Sequence, residues 1–293
     1  MRILITGCRG QLGTELQKQL KNGGSALGAM PDCFANAEVV AVDIDDFDLS
    51  DRRAVVSFLE KGSFDVVINC AAFTNVNGCE SQQDSAFAAN VLGPRNLAEG
   101  CADTHTALVH VSTDYVFAGD ATEPYREYDP TGPVTVYGKT KLAGENAVRE
   151  LCREHYIVRT AWLYGEHGGN FVKTIIKNAR EKGALKVVND QFGNPTNAED
   201  LAHHILKIIA GGNYGTYHCT GSGICSWYDF AKEIVTLAGI DCTVAPCTTD
   251  EYPTPARRPA YSALDNMMLR LTVGDEMRDW HDAIKSYIQT VEL

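Results

Sequence analysis

The feature of this sequence that most constrains its fold is a glycine turn between an apolar run and an amphipathic segment. Residues 3–6 are largely apolar, and Gly7, Gly10 and Gly13 follow at intervals of three. Leucines then recur every fourth residue through 11–20, which predicts one face of a helix. Glycines at this spacing let the backbone approach a pyrophosphate, and the helix start offers it unpaired N–H groups. The turn therefore predicts a βαβ unit that holds a dinucleotide.

The first half of the chain continues this alternation of apolar runs and helical patterns. Such alternation is typical of a parallel sheet, and strands rich in Val and Ile fit a sheet covered on both faces. Residues 24–37 are predicted to form a loop insertion. The predicted strands are 3–6, 38–42, 66–71 and 108–112, and the predicted helices are 11–20, 52–61 and 94–101. We therefore expect residues 1–160 to form an α/β, Rossmann-like doubly wound parallel sheet that binds NAD(P).

The second half has a different character. Asn170, Asn197 and Ser226 each precede an apolar helical pattern, as N-cap residues do. Polar loops at 190–196 and 248–259 separate these helices, and such loops commonly carry binding groups. We expect residues 161–293 to form mainly a smaller C-terminal α/β substrate-binding domain, with segments that return to the first domain.

An acidic residue completes the predicted dinucleotide site. Asp43 ends the second predicted strand, where it can accept hydrogen bonds from both hydroxyls of the adenosine ribose. Its charge would repel a 2′-phosphate, which favours NADH, whereas Arg9 could pair with that phosphate, so NADPH would be tolerated. Asp48 is expected at the adenine, with capping of the next helix by Asp48 or Ser50 as the alternative. The predicted cofactor-binding residues are Gly7, Gly10, Gln11, Leu12, Gly13, Asp43, Ile44, Asp48, Leu49, Ala71, Ala72, Phe73, Tyr137 and Lys141.

Three polar residues form a candidate catalytic group. Tyr137 and Lys141 are four apart on a predicted helix and so share one face. The ammonium group of Lys141 is expected to draw the high pKa of the Tyr137 phenol toward the working range. Thr113 follows the predicted strand 108–112, at the sheet edge where open α/β folds bind ligands. The three predict acid–base chemistry on a substrate oxygen.

These motifs resemble the extended short-chain dehydrogenase/reductase family. Within it, the segments 112–117, 136–145, 159–162, 190–196 and 254–259 resemble the dTDP-4-dehydrorhamnose reductases over nearly the whole chain. The resemblance implies that NADH or NADPH reduces the 4-keto group of dTDP-4-dehydro-L-rhamnose to give dTDP-L-rhamnose for cell-surface polysaccharides. Tyr137 would donate the proton, Lys141 would hold the nicotinamide ribose and Thr113 would orient the carbonyl.

The resemblance also implies substrate contacts. Asp114 and Trp162 would touch the sugar, and Arg257 or Arg258 would meet the diphosphate or the thymine. Asn170 is either a substrate contact or a helix cap. Asn90 either supports Lys141 or is an ordinary polar residue of a helix. The chain departs from relatives at Asn77, where they tend to have aspartate, and at Cys70, where they tend to have alanine; neither change touches the proton chemistry.

The composition and the net charge limit the kinds of partner that this protein can bind. The net charge of −12 would repel a nucleic acid, and no apolar run reaches the length of a membrane span. The scattered cysteines and the immediate N-terminal strand favour a cytoplasmic protein with reduced thiols. Magnesium is associated with some members of the family, but no carboxylate cluster here would bind it, so no metal ligand is predicted. We expect a monomer or homodimer that takes a dTDP-sugar.

Two alternatives remain open at this stage. One is a 4,6-dehydratase or 4-epimerase acting on a nucleotide sugar, although Asp114-Tyr115 stands where a dehydratase has Asp-Glu. The other is a regulatory subunit that binds a dinucleotide without catalysis, although the complete set of Thr113, Tyr137 and Lys141 argues against it.

Overall fold

The structure, a computed structural model, describes residues 1–291. The strands are β1 (Arg2–Thr6), β2 (Gly24–Ser25), β3 (Gly28–Ala29), β4 (Glu38–Val42), β5 (Val66–Asn69), β6 (Ala107–Thr113), β7 (His155–Thr160), β8 (Leu163–Tyr164), β9 (Ala184–Val188), β10 (Phe192–Gly193), β11 (Thr196–Asn197), β12 (Gly215–His218), β13 (Cys225–Ser226) and β14 (Thr243–Cys247). The helices are α1 (Gln11–Asn22), α2 (Arg52–Gly62), α3 (Val76–Ser81), α4 (Gln83–Phe87), α5 (Gly93–Thr104), α6 (Val136–Leu151), α7 (Phe171–Lys182), α8 (Ala198–Gly211), α9 (Trp227–Leu237), α10 (Met267–Thr272) and α11 (Trp280–Thr290).

A six-stranded parallel sheet forms the centre, in the order β12-β7-β6-β5-β1-β4. This confirms the predicted Rossmann-like fold class. Strand β1 lies between β4 and β5, so the strand order reverses at β1. Open α/β sheets bind ligands at the carboxyl end of such a reversal, and the glycine turn lies there.

Both faces of the sheet are covered by helices. Ile3 and Ile5 pack on one face in a core shared with α1 and α8, whereas Leu4 packs on the opposite face with α2, α5 and α6. Successive strand residues point to opposite faces, so an uninterrupted apolar strand supplies both cores. This is why β1 carries no polar alternation.

A further core lies in the second half of the chain. It joins α7, α9 and α11 around residues such as Tyr164, Ile176, Phe230 and Tyr287. The intervening β12 and α8 instead belong to the central sheet and to the core on the α1 face. The exact division of the chain into two domains remains a prediction.

Three local predictions need correction. Residues 24–37 are not a plain loop, since β2 and β3 form a hairpin and a 3₁₀ turn at Asp32–Phe34 places Phe34 in the core. Strand β5 ends at Asn69 rather than at residue 71, because the Ala71 N–H donates to the Asn69 side chain instead of to a neighbouring strand. Helix α2 is capped by Asp51, not by Asp48 or Ser50.

The predicted caps of α7, α8 and α9 are confirmed. Asn170, Asn197 and Ser226 each accept a hydrogen bond from a first-turn N–H, and Ser226 forms a reciprocal capping box with Asp229. Over residues 1–291, no helix is both long enough and apolar enough to cross a membrane.

Candidate active site

A cavity of about 880 Å³ opens at the carboxyl ends of the central strands. It is lined by residues from both halves of the chain. Among the predicted site residues, the lining includes Gly7, Gly10, Gln11, Leu12, Gly13, Asp43, Ile44, Asp48, Leu49, Ala71, Ala72, Phe73, Thr113, Asp114, Tyr137, Lys141 and Trp162.

The glycine turn packs so closely that side chains are excluded from it. Gly7 has a left-handed φ of 65°, and a Cβ there would lie 2.7 Å from the Ala71 nitrogen. A Cβ on Gly13 would collide with the Gly7 carbonyl oxygen. The N-cap of α1 is Gly10, and no side chain caps the helix start. The first-turn N–H groups therefore face the cavity without a side-chain acceptor, which fits a pyrophosphate.

Asp43 is fixed at the rim beside this turn. Its carboxylate accepts hydrogen bonds from the N–H groups of Arg9 and Ile44, both at 2.9 Å. Burial raises the pKa of Asp43, but these hydrogen bonds outweigh it and hold the pKa below its usual value. The Arg9 guanidinium binds Asp45 at 2.7 Å and lies 3.6 Å from Asp43. An acidic and a basic side chain thus stand together where a ribose would bind.

Thr113, Tyr137 and Lys141 all line the cavity. Thr113 ends β6, and Tyr137 lies in the first turn of α6, a helix capped by Thr135. The Thr113 hydroxyl donates to Asp114 at 2.8 Å, and it lies near enough to the Tyr137 phenol to influence the pKa of that phenol. The Lys141 ammonium donates to the Val111 carbonyl oxygen at 2.7 Å. One strand end and one helix face therefore carry all three groups.

Burial controls the ionisation of these groups. It lowers the pKa of Lys141 to about 8, and it raises the pKa of Tyr137 above its usual value. The rise in the pKa of Tyr137 is opposite to the decrease that was expected from the charge of Lys141 alone. The reason is that Tyr137 is only 8% exposed and neighbours Asp114 and Tyr115, while Lys141 is hydrogen-bonded to the backbone. Burial therefore favours the protonated phenol of Tyr137.

A third titratable group borders the phenol. Asp114 is buried, and burial raises its pKa to about 6 in spite of the neighbouring Ser262 and Thr113 hydroxyls, which lower it. Its second carboxylate oxygen, Oδ2, has no hydrogen-bond partner. Because an unpartnered buried oxygen is costly, this atom is a candidate acceptor for a ligand hydroxyl.

The structure places Arg258, rather than Arg257, at the cavity. Arg257 is exposed and does not line it, whereas Arg258 does. The Arg258 guanidinium donates to the Tyr115 hydroxyl at 2.9 Å and to the Asn77 amide oxygen at 3.2 Å. Sequence reasoning named both arginines without a means to choose, since backbone direction decides which of two neighbours faces inward.

Aromatic residues form part of the cavity wall. The ring of Trp162 stacks on that of Trp227, with centroids 3.5 Å apart and planes 7° from parallel. Tyr115 packs edge-on against Tyr137 at 5.4 Å. Neither Trp227 nor Tyr115 was named as a site residue, and for Trp227 the only sequence signal was its position after a helix cap.

Two asparagine side chains, those of Asn170 and Asn90, form hydrogen bonds that hold neighbouring segments in place. Asn170 caps α7 and donates to Gln11 at 3.1 Å, so it joins the glycine turn to the second half of the chain. Asn90 lies in a π-helical turn, where it bonds both backbone groups of Phe73 and the Thr140 hydroxyl. Neither lines the cavity.

Within the described residues, no cluster of three or more His, Cys, Asp or Glu residues could hold a metal ion.

Comparison with known proteins identifies relatives along the full chain. The family model described as "RmlD substrate binding domain" matches residues 1–293. The spore coat polysaccharide biosynthesis protein SpsK of Bacillus subtilis is 40% identical over 98% of this chain and 97% of its own length.

Solved structures agree with this result. A dTDP-4-dehydrorhamnose reductase from Clostridium acetobutylicum superposes with a TM-score of 0.93 at 52% identity, covering 99% of each chain. The dTDP-4-dehydrorhamnose reductase from Bacillus anthracis, solved in complex with NADP, gives 0.92 at 38% identity over 98% of each chain. The chain therefore belongs to the RmlD substrate binding domain family, which includes these dTDP-4-dehydrorhamnose reductases.

Proposed function

We propose that this protein reduces the 4-keto group of dTDP-4-dehydro-L-rhamnose with a nicotinamide dinucleotide and releases dTDP-L-rhamnose. The observation that carries the proposal is the meeting of Thr113, Tyr137 and Lys141 in the cavity that the glycine turn also lines. Reductases of this name are among the relatives, and SpsK is named for polysaccharide synthesis, the use proposed for this product.

The dinucleotide would lie along the glycine turn. The uncapped first turn of α1 would hold its pyrophosphate, and Asp43 the adenosine ribose. Small residues at 71 and 72 leave space beside β5. A reduced nicotinamide bound there supplies the hydride that the ketone carbon accepts.

The protein itself supplies the proton. As the C4 carbonyl is reduced, its oxygen gains negative charge, and Tyr137 gives its phenolic proton to that oxygen. The Thr113 hydroxyl holds the same oxygen in place, and the Lys141 cation stabilises the phenolate that remains. Carbon thus gains a hydride, oxygen gains a proton, and Tyr137 is reprotonated from solvent before the next turnover.

The sugar nucleotide would occupy the other half of the cavity. Arg258 offers the positive charge that a diphosphate requires in a protein of net charge −12. Trp162 would form a wall against the sugar, and the unpartnered oxygen of Asp114 would accept from a sugar hydroxyl. The monomeric or homodimeric state, the cytoplasmic location and the lack of a metal ligand stay predictions.

For the cofactor we propose that NADH is preferred and that NADPH is accepted. Asp43 is charged and would repel a 2′-phosphate, whereas Arg9 could leave Asp45 to pair with it. The NADP bound to the Bacillus anthracis relative supports the proposal that NADPH is accepted.

The Asp43→Ala variant tests this assignment. Removal of the carboxylate relieves the repulsion, so the ratio of kcat/KM for NADPH to that for NADH should rise about tenfold, the effect of ~1.4 kcal/mol. Asp241→Ala is the control, because Asp241 is an exposed acid that does not line the cavity. An unchanged ratio in Asp43→Ala would place Asp43 away from the ribose.

Steady-state turnover tests the reaction. The purified protein should oxidise NADH or NADPH in a 1:1 ratio with dTDP-4-dehydro-L-rhamnose, and NMR should identify dTDP-L-rhamnose as the product. Conversion of the sugar with no net loss of reduced cofactor would instead indicate an epimerase. If no conversion occurs, a pull-down that recovers a stoichiometric partner enzyme would indicate a regulatory subunit.

A further inference from the structure

The segment 190–196, which the proposed reaction leaves without a role, lies directly behind Trp162. We propose that Gly193 and Trp227 hold the indole of Trp162 between them and thereby position the wall that receives the sugar nucleotide. We call Gly193, Trp162 and Trp227 the indole sandwich. The inference rests on the proposed function, since it assigns positioning residues to the substrate half of the same cavity.

The backbone of Trp162 gives the first observation. Its φ is 48°, in the left-handed region that a bulky residue rarely adopts. Such a conformation persists only where the surroundings impose it, and it occurs often in ligand sites. Here the Trp162 carbonyl oxygen accepts a hydrogen bond from the Thr196 N–H at 3.3 Å, and β8 pairs with β11 immediately afterwards. The 190–197 region thus holds the tryptophan in an unusual conformation.

The two faces of the indole give the second observation. Trp227 covers one face at 3.5 Å, and Phe171 packs against Trp227 at 4.4 Å. On Gly193, a Cβ would lie 2.6, 2.7 and 2.9 Å from three consecutive ring atoms of Trp162. Similar distances to Cε2, Nε1 and Cζ2 place the Gly193 backbone against the ring face rather than its edge. Glycine is the residue that fits there.

A single ribbon builds both sides of the sandwich. Strands β10 and β13 pair antiparallel, with Gly193 opposite Cys225 and Phe192 opposite Ser226. Ser226 is the N-cap of α9, whose first residue is Trp227. Phe192 also bonds the backbone of Ala260 and Ser262, in the chain segment that follows Arg258. The ribbon therefore connects the aromatic wall to the segment that carries the cavity's arginine.

Displacement of the Trp162 ring should affect the substrate half of the cavity only. Trp162, Trp227 and Arg258 line the cavity, whereas Gly193 does not, so Gly193 acts only through Trp162. With both faces covered, the indole can present only its edge to the sugar, and its two neighbours fix the position of that edge. Tilting of the ring should weaken binding of the sugar nucleotide and leave the dinucleotide end unchanged.

The Gly193→Ala variant is the test. Gly193 does not have a positive φ, so alanine brings the clash with Trp162 and no backbone strain. We expect the KM for dTDP-4-dehydro-L-rhamnose to rise about tenfold or more, since small misplacements at a site are costly, with the Kd for NADPH unchanged. Gly132→Ala is the control, because a Cβ there meets only ordinary contacts, the nearest at 3.6 Å. A sugar KM unchanged in Gly193→Ala, or an equal loss of NADPH affinity, would overturn the proposal.

A second change and a second readout separate positioning from misfolding. Adding Trp162→Phe to Gly193→Ala removes ring atoms from the clash, so the two changes together should cost less than the sum of each alone. The stacked indoles of Trp162 and Trp227 should also give a coupled signal in circular dichroism that Gly193→Ala abolishes. Additive losses, or an intact coupled signal in Gly193→Ala, would contradict the sandwich.

The same experiments distinguish the two proposals. Calorimetry with the product dTDP-L-rhamnose reports on the substrate half of the cavity without turnover. If the wild-type protein binds that product but reduces no keto sugar, the proposed reaction fails while the effect of Gly193→Ala on the Kd still decides the sandwich. If wild-type protein does not bind it, both assignments of this half of the cavity are wrong.

Discussion

Burial acts on Tyr137 and Lys141 in opposite directions, and both directions suit a reduction. The phenol keeps its proton at neutral pH, as a proton donor must, because burial raises its pKa. The lysine has a pKa of about 8 and is still mostly a cation at neutral pH. The isolated motif predicted that lysine would acidify tyrosine, an interpretation that omits the larger cost of removing a phenolate from water.

The Tyr137→Phe variant tests the proton donor. Phenylalanine keeps the ring and its packing against Tyr115 but removes the hydroxyl. Loss of a positioned general acid typically costs about 10²–10⁴-fold in rate, so kcat should fall by that order while the Kd for NADPH stays unchanged. The control is Tyr128→Phe, at an exposed tyrosine outside the cavity. A kcat near that of wild type would show that the proton comes from elsewhere.

The pH dependence of kcat tests Lys141. As the pH rises through about 8, Lys141 loses the proton that gives it its charge, and the phenolate left on Tyr137 loses its stabilising cation. The value of kcat should therefore be high below this pKa and decline above it. Lys141→Arg keeps a cation at these pH values and should remove that decline in whatever activity remains. A wild-type profile that is flat through pH 8 would contradict this role.

The arrangement of strands and helices determines which side chains reach the cavity. Sequence periodicity predicted the central strands and helices, because their apolar residues repeat with the pattern of burial. It could not predict that Trp227 stacks on Trp162, since the two are 65 positions apart and meet through the β10–β13 ribbon. It also missed the β2–β3 hairpin, because strands of two residues carry no periodic signal.

The glycine turn joins strand β1 to helix α1, and Gly13→Ala tests how closely its two ends pack. The new Cβ would collide with the Gly7 carbonyl oxygen and push the helix start from its position. Overpacking of this kind costs about 1–3 kcal/mol of stability. Because it also moves the N–H groups of the helix start away from the pyrophosphate, the Kd for NADPH should rise about tenfold. Gly132→Ala again serves as a glycine with space around it. NADPH binding of wild-type strength in Gly13→Ala would argue against a pyrophosphate at this turn.

At the scale of the whole molecule, the chain crosses between its two halves more often than a single boundary implies. Strand β12 extends the central sheet beside β7, and Leu201, Ile205 and Ile208 of α8 pack into the core that covers Ile3 and Ile5. The sequence indicated a change of character near residue 160, but the return of later segments depends on contacts between distant residues. Local patterns do not encode such contacts.

A fragment of residues 1–160 tests this interdependence. Without α8 it would expose part of one face of the central sheet to water, at a cost of ~25 cal/mol for each Å² of apolar surface. We expect the fragment to lack the cooperative thermal unfolding that the intact protein shows in calorimetry. A sharp transition in the fragment would indicate that residues 1–160 fold as an independent domain.

The fate of the transferred hydrogen tests the central claim most directly. NADPH carrying deuterium at the reactive position of the nicotinamide should be consumed with dTDP-4-dehydro-L-rhamnose, and the product should be examined by NMR. The account predicts one deuterium at C4 of dTDP-L-rhamnose and none elsewhere on the sugar. Deuterium at another carbon, or a product without it, would contradict hydride transfer to the 4-keto group in this cavity.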